Sequence, residues 1–233
     1  CDAHALCDRC AEQMACVVGG SYCSTCGEDR HPHLLIDGSC GACRLRKSKR
    51  PSFDRFIRVG RYTGPLRAMI LRFKHEIILD ELLGEMLADA VQSRIEPHEV
   101  DLWVPVPSHW VRRIRRRFQP TALLTSHTAR RYGRRASPVL AMTRYVPQFH
   151  LNAIRSRPAR ARAIAGAFRL KRGVRLTGRS VCLIDDVTNT GATLAEAKRT
   201  LRAAGARRIL AAVLANTSSF RESDTVRKDT VEA

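Results

Sequence analysis

The stretch V-C-L-I-D-D-V-T-N-T-G-A-T, residues 181–193, decides the fold. Its four leading apolar residues read as a strand buried on both faces, as strands of parallel sheets are. Two adjacent carboxylates, Asp185 and Asp186, follow. They stand at the carboxyl end of that strand, where open α/β sheets bind their ligands. Thr188, Asn189, Thr190, Gly191, Ala192 and Thr193 then lead into an amphipathic run, L-A-E-A-K-R-T-L-R-A-A. A helix starting there turns free backbone N–H groups and its positive dipole end toward a phosphate. Gly191 lets the backbone come close, and the threonine hydroxyls add donors. Carboxylates beside such a cradle repel a bare phosphate. They suit a ligand with hydroxyls near its phosphate, such as a ribose 5-phosphate. Asp-Asp alone reads better as a buried strand ending in a cap and a turn; the whole pattern favours the ligand.

Outward from this stretch, strands alternate with helices, which predicts a parallel α/β sheet with right-handed crossovers. Residues 53–64 read as one or two short strands. Pro65 starts a helix with Leu66, Met69, Ile70 and Phe73 on one face. A second helix spans about 79–93, with Leu82, Leu83, Met86, Leu87 and Ala90 inward. L-W-V-P-V-P is a strand stopped at Pro107, a helix covers about 121–132, and V-L-A-M is the next strand. Residues 143–165 are Arg-rich, without a clear period, and are expected to be mobile. A short strand pair is expected near 167–177, and R-I-L-A-A-V-L-A follows the helix that ends before Gly205. The domain reading is a cysteine-rich metal segment over 1–50, an α/β domain over 51–217, and a polar, disordered tail over 218–233.

The chain has 233 residues and nine cysteines, with no apolar h-region in its first 30 and no run of 18 apolar residues. A membrane span and a disulfide framework are both excluded on that reading, and a cytoplasmic location is expected. Beginning at Cys1 rather than Met, the chain is expected to lack a few upstream residues. Cys23-x2-Cys26-x13-Cys40-x2-Cys43 has the spacing of a four-thiolate structural zinc site. Gly27 and Gly41 sit beside the ligands, as tight turns need. Cys7 and Cys10 form a third pair. Their partners would be Cys1 with His4, or Cys16 with a residue further upstream. Cys182, inside the apolar strand, is a core residue.

Net charge is +19. Residues 101–180 hold 19 Lys and Arg against one acid, Asp101. The arginines cluster at 112–117, at 130–135 and at 155–162. A solvated face is the plain reading. Pyrophosphate binding by a few, and single-stranded nucleic-acid backbone binding by many, are the functional ones. With aromatics at 6%, a base-stacking platform is poorly supplied.

The 181–193 pattern resembles the phosphoribosyl-pyrophosphate (PRPP) loop of type I phosphoribosyltransferases, with Asn189-Thr190-Gly191 in place of the usual Thr-Thr-Gly. At chain level the sequence is similar to the ComF-like competence proteins, which join a cysteine zinc finger to such a domain. The likeness rests on Y-x-G-P-L-R at 62–67, Phe73-Lys74, V-P-V-P at 104–107, S-R-x-x-R at 156–160, G-A-F at 166–168, the phosphate loop and the cysteine pairs, in that family's order. It departs where the family carries R-G-F-N-Q: here stand Arg116-Arg117-Phe118-Gln119-Pro120, which affects the acceptor side of the site. The family's later glutamine is replaced by Asn152, or its role falls to Gln148. The resemblance implies that Asp185 and Asp186 hold the ribose hydroxyls and that residues 188–193 wrap the 5-phosphate. Ser108 and His109 sit where the pyrophosphate loop falls, with Arg157 and Arg160 as a lid and Mg²⁺ assisting. His109 has the plainer reading of a loop histidine, and Lys74 is read as structural or an edge contact. Two functions follow: a phosphoribosyltransferase acting on PRPP, or a non-catalytic single-stranded-DNA-handling protein of DNA uptake that works with other competence or DNA-processing proteins.

Overall fold

Helix α1 (Asp8–Val17) leads into a small hairpin, β1 (Leu35–Ile36) with β2 (Ser39–Cys40), closed by the short helix α2 (Gly41–Arg44). In this computed structural model, residues 8–48, 51–108, 118–143 and 157–217 are described, Arg157 by its backbone alone. The expectations for Cys1, His4, Cys7, His109, 112–117, Gln148, Asn152, Arg155 and the 218–233 tail lie outside the described residues.

The body is a parallel sheet of four strands. They are β3 (Arg55–Arg61), β4 (Leu102–Pro105), β7 (Ser180–Thr188) and β8 (Arg208–Asn216), in the order β3-β8-β7-β4. Along β7, Cys182 and Ile184 point into one apolar layer while Val181 and Leu183 point into the other. β8 alternates likewise, with Leu210, Ala212 and Leu214 against Ile209, Ala211 and Val213. Both faces are therefore covered, and the continuous apolar runs are explained by the period of two. Helices α3 (Gly64–Phe73), α4 (Asp80–Gln92) and α5 (Pro120–Arg131) border one layer, and α7 (Ala192–Ala203) borders the other. The α3 face is the predicted one: Leu66, Met69, Ile70 and Phe73 are all buried. In α4 the buried line is Leu83, Leu87 and Val91, with Leu82, Met86 and Ala90 half-buried at its side.

Three expectations are corrected. V-L-A-M does not join the parallel sheet. β5 (Leu140–Met142) pairs antiparallel with β6 (Phe168–Leu170), and this replaces the strand pair expected within 167–177. Three-residue strands are too short to show a period, and their partner lies far along the chain. Part of the segment expected to be aperiodic is helix α6 (Arg157–Ile164). Of the two readings for residues 53–64, one strand or two, the first is observed as β3.

The cysteine-rich segment lies against β3. Gly19 N–H donates to Val59 O (2.7 Å), Phe53 N–H to Thr25 O (2.8 Å), and Val18 bridges Gly60. Arg58, on β3, is buried and pairs with Asp29, its guanidinium 4.5 Å from the Tyr22 ring centre. Gly27 is required here: it has φ +73°, and a Cβ would fall 2.3 Å from the Phe56 ring. Gly41 has no such role, since it simply begins α2.

Candidate functional site

Four sulfurs gather at the β1–β2 hairpin. Those of Cys23, Cys26, Cys40 and Cys43 all lie within 4.8 Å of one another, the first three residues buried. A tetrahedron with Zn–S bonds of about 2.3 Å has edges of about 3.8 Å. A small contraction therefore lets the cluster hold a metal such as zinc. The backbone N–H of Cys40 already donates to Cys23 Sγ (3.3 Å). The Cys23 thiol is held down at about 4, chiefly by the hydrogen bond from Cys26, and Cys26 is pushed up in return. Of the third pair, Cys10 lies on α1, away from this cluster.

The second site is a cleft of about 460 Å³ at the carboxyl ends of β4 and β7. Asp185 and Asp186 stand on its floor, with Ser108 on the β4 side and Arg160, from α6, above. A smaller hollow of about 70 Å³ adjoins it, lined by residues 188–193, Asp185 and Arg160. The sequence-predicted ribose and phosphate residues are thus brought together. Gly191 has φ +78°, and a Cβ there would come within 2.9 Å of the Pro51 ring. Only glycine fits that turn. From it α7 starts, and the N–H groups of its first turn need acceptors from outside the helix.

The two acids differ. The Asp185 carboxyl is raised well above the ordinary carboxylate range, first by burial and then by the neighbouring Asp186 charge. Its Oδ1 accepts the Asp186 N–H at 3.0 Å. Asp186 accepts the Val187 N–H at 2.7 Å through Oδ1 and faces Lys74 Nζ at 3.1 Å through Oδ2.

Lys74 lines the cleft rather than an edge, which the sequence reading missed. The signal was the Phe73-Lys74 pair: Phe73 is fully buried, so the next residue is fixed in place at the end of α3. Glu196 was missed as well. It is buried on α7, bonds Arg199, and accepts the Gly166 N–H at 2.7 Å. Hydrogen bonding from Arg199 holds its carboxyl low. This bond ties the corner after α6, and hence the Arg160 helix, to α7. On the wall beside β4, Thr121 Oγ1 donates to Val106 O (2.9 Å) and Gln119 lies alongside. Gln119 occupies the position where the sequence departs from the ComF-like pattern. Arg157 is placed on α6 by its backbone.

No protein-family model matches the chain. Among solved structures, the glutamine PRPP amidotransferase from B. subtilis aligns at 24% identity and TM-score 0.38, over 57% of this chain and 25% of that longer one. The Trypanosoma cruzi hypoxanthine phosphoribosyl transferase aligns at 14% identity and TM-score 0.36, over 70% of each chain. Competence protein F of Haemophilus influenzae is 28% identical over 210 residues, 88% of this chain and 87% of that protein. DNA utilization protein YhgH of Salmonella typhimurium is 28% identical over 215 residues, 86% of each. With its four-cysteine cluster and its 181–193 motif in the order of the ComF-like proteins, the chain is similar over most of its length to competence protein F and to DNA utilization protein YhgH.

Proposed function

We propose that the cleft binds a phosphorylated ribose, as PRPP or as a nucleotide, and that the protein serves the handling of incoming DNA in the cytoplasm. One observation carries this reading. An acid pair, a glycine turn and a helix N-terminus meet at the end of one central strand, with a phosphate-sized hollow beside a larger cleft. In this reading Asp185 and Asp186 take the ribose hydroxyls. Thr188, Asn189, Thr190 and the first-turn N–H groups of α7 take the 5-phosphate. Ser108 and Arg160 face the pyrophosphate of PRPP. The Asp185 carboxylate, with the oxygens of PRPP, suits Mg²⁺, which would offset the leaving charge.

Transfer, where it occurs, breaks the C1–O bond of PRPP as the acceptor's lone pair forms the new bond to C1. Pyrophosphate leaves with the bonding electrons. The chain's own part is to hold the ribose in line and to meet the departing charge with fixed positive groups. The acceptor would lie against Gln119 and Thr121. The relatives' names, competence protein F and DNA utilization protein, favour a second reading in which the site is regulatory and DNA is the cargo.

Calorimetry with PRPP and magnesium tests the first reading. Asp185→Asn with Asp186→Asn should abolish binding while thermal unfolding stays cooperative. Unchanged affinity in the double variant would remove the site assignment. Pyrophosphate release on adding a base would establish turnover; its absence, with binding intact, favours the regulatory role.

A further inference from the structure

The acid pair is served unequally by its surroundings. Asp185 faces both the ribose cleft and the phosphate hollow, whereas Asp186 faces only the larger cleft. Both oxygens of Asp186 are engaged, one by the Val187 N–H at 2.7 Å and the other by Lys74 Nζ at 3.1 Å. The ammonium and its carboxylate are 21% and 17% exposed, so the pair is shielded yet still borders the cleft. Lys74 is held there by its setting. Phe73 and Ile70 beneath it are fully buried, and its own N–H donates to Ile70 O at 3.3 Å. An ammonium at the last turn of α3 also meets the negative end of that helix. A lysine has three N–H donors and no acceptor. With one donor on Asp186, the remaining ones can serve a ligand hydroxyl or phosphate in the cleft.

We infer that Lys74 is a ligand-binding residue of this site, a resident cation occupying the face of Asp186 that a divalent ion would otherwise take. The inference rests on the phosphoribosyl reading and deepens it. A ligand with ribose hydroxyls and a 5-phosphate but no pyrophosphate is bound without a metal, because the protein supplies the charge that balances Asp186. PRPP differs by its pyrophosphate, whose oxygens would hold magnesium of their own. The site thus selects for nucleoside monophosphates and ribose 5-phosphate when magnesium is scarce.

The experiment measures binding of ribose 5-phosphate by calorimetry, in EDTA and in excess magnesium. It uses the full chain and its Lys74→Met and Lys74→Gln variants. The wild type should bind equally well in both buffers. Each variant should lose about tenfold or more in EDTA, the size expected for one charge-assisted hydrogen bond, and should recover part of that loss in magnesium. Lys74→Met leaves Asp186 without its counter-charge, so thermal unfolding is followed in parallel; the wild-type comparison requires no variant to fold. Binding by the wild type only when magnesium is present would overturn the inference, and so would variants with wild-type affinity in EDTA. A wild type that binds ribose 5-phosphate in neither buffer fails at the earlier step, and the phosphoribosyl reading falls with it.

Discussion

Asp185 is the residue whose chemistry is most strained by the fold. Burial and the Asp186 charge raise its carboxyl above the ordinary range, near 3.9 in an unfolded chain. The native state therefore holds a proton that the unfolded state has already released. Stability must then fall as pH rises from the unfolded value through the folded one, and the loss is complete above the folded value. Asp185→Asn removes this cost. Its thermal midpoint at neutral pH should exceed the wild type's by a few degrees, since about 1 kcal/mol moves a chain of this size by roughly 2–4 °C. Below about pH 4 the two should converge, because both states of the wild type are then protonated. A variant less stable than the wild type at pH 7, or a gap that persists in acid, would show that the carboxylate is accommodated without strain. A carboxyl held in this way gains most from any ligand that stabilises its charged form.

At the scale of elements, the cysteine hairpin and the cleft at the ends of β4 and β7 share one strap. Asn216, the last residue of β8, is fully buried, and its Nδ2 donates to Gly27 O at 2.6 Å, next to Cys26. Its carbonyl accepts the Tyr62 N–H at 3.1 Å, and its neighbour Thr217 donates through N–H to Thr188 O at 2.9 Å. Tyr62 and Thr217 both line the cleft. Asn216→Leu removes the shorter of two hydrogen bonds to Gly27 O, the other coming from Arg58 Nη1 at 3.4 Å, and should cost about 0.5–1.5 kcal/mol, read as a lower denaturant midpoint. Mass spectrometry should find one zinc per chain at the four thiolates, lost in Cys26→Ser; less than half an equivalent in the wild type would refute the metal site. The α3 stripe was legible because Leu66, Met69, Ile70 and Phe73 follow the helical period, and β7 because four apolar residues precede two acids. The four thiolates were legible because spacing alone encodes them. The β5–β6 pair was not, since nothing local in three residues names a distant partner. The Lys74–Asp186 pair and the Asn216–Gly27 strap were hidden for the same reason: their partners meet only after the sheet has assembled.

Across the whole molecule, the structure sorts the arginines that composition could only count. Arg131 is committed to the fold, bonding Glu85 at 2.7 Å and Asp89 at 3.0 Å on α4. Arg202 is tied to Asp54 at 3.2 Å, and Arg208 to Glu99 at 2.9 Å. Arg134, Arg135, Arg162, Arg169, Lys171, Arg172 and Arg175 are exposed, as Arg131 and Arg202 are, but form no ion pair among the described residues. Among the described residues no helix is long and apolar enough to cross a membrane. If the exposed set neutralises about five phosphates of a single strand, log affinity should fall against log salt with a slope near −3.5, at roughly 0.7 per phosphate. Replacing Arg169, Lys171, Arg172 and Arg175 with Gln should flatten that slope by up to about 2.8 and weaken all sequences alike. Arg131→Gln, which removes as real a charge but one already paired, should leave the slope nearly unchanged. Fluorescence anisotropy across a salt series makes the comparison. No binding at low salt, or binding indifferent to salt, would mean that the exposed arginines are a solvated face, and equal effects of Arg131 and the 169–175 set would mean that net charge rather than placement attracts the strand.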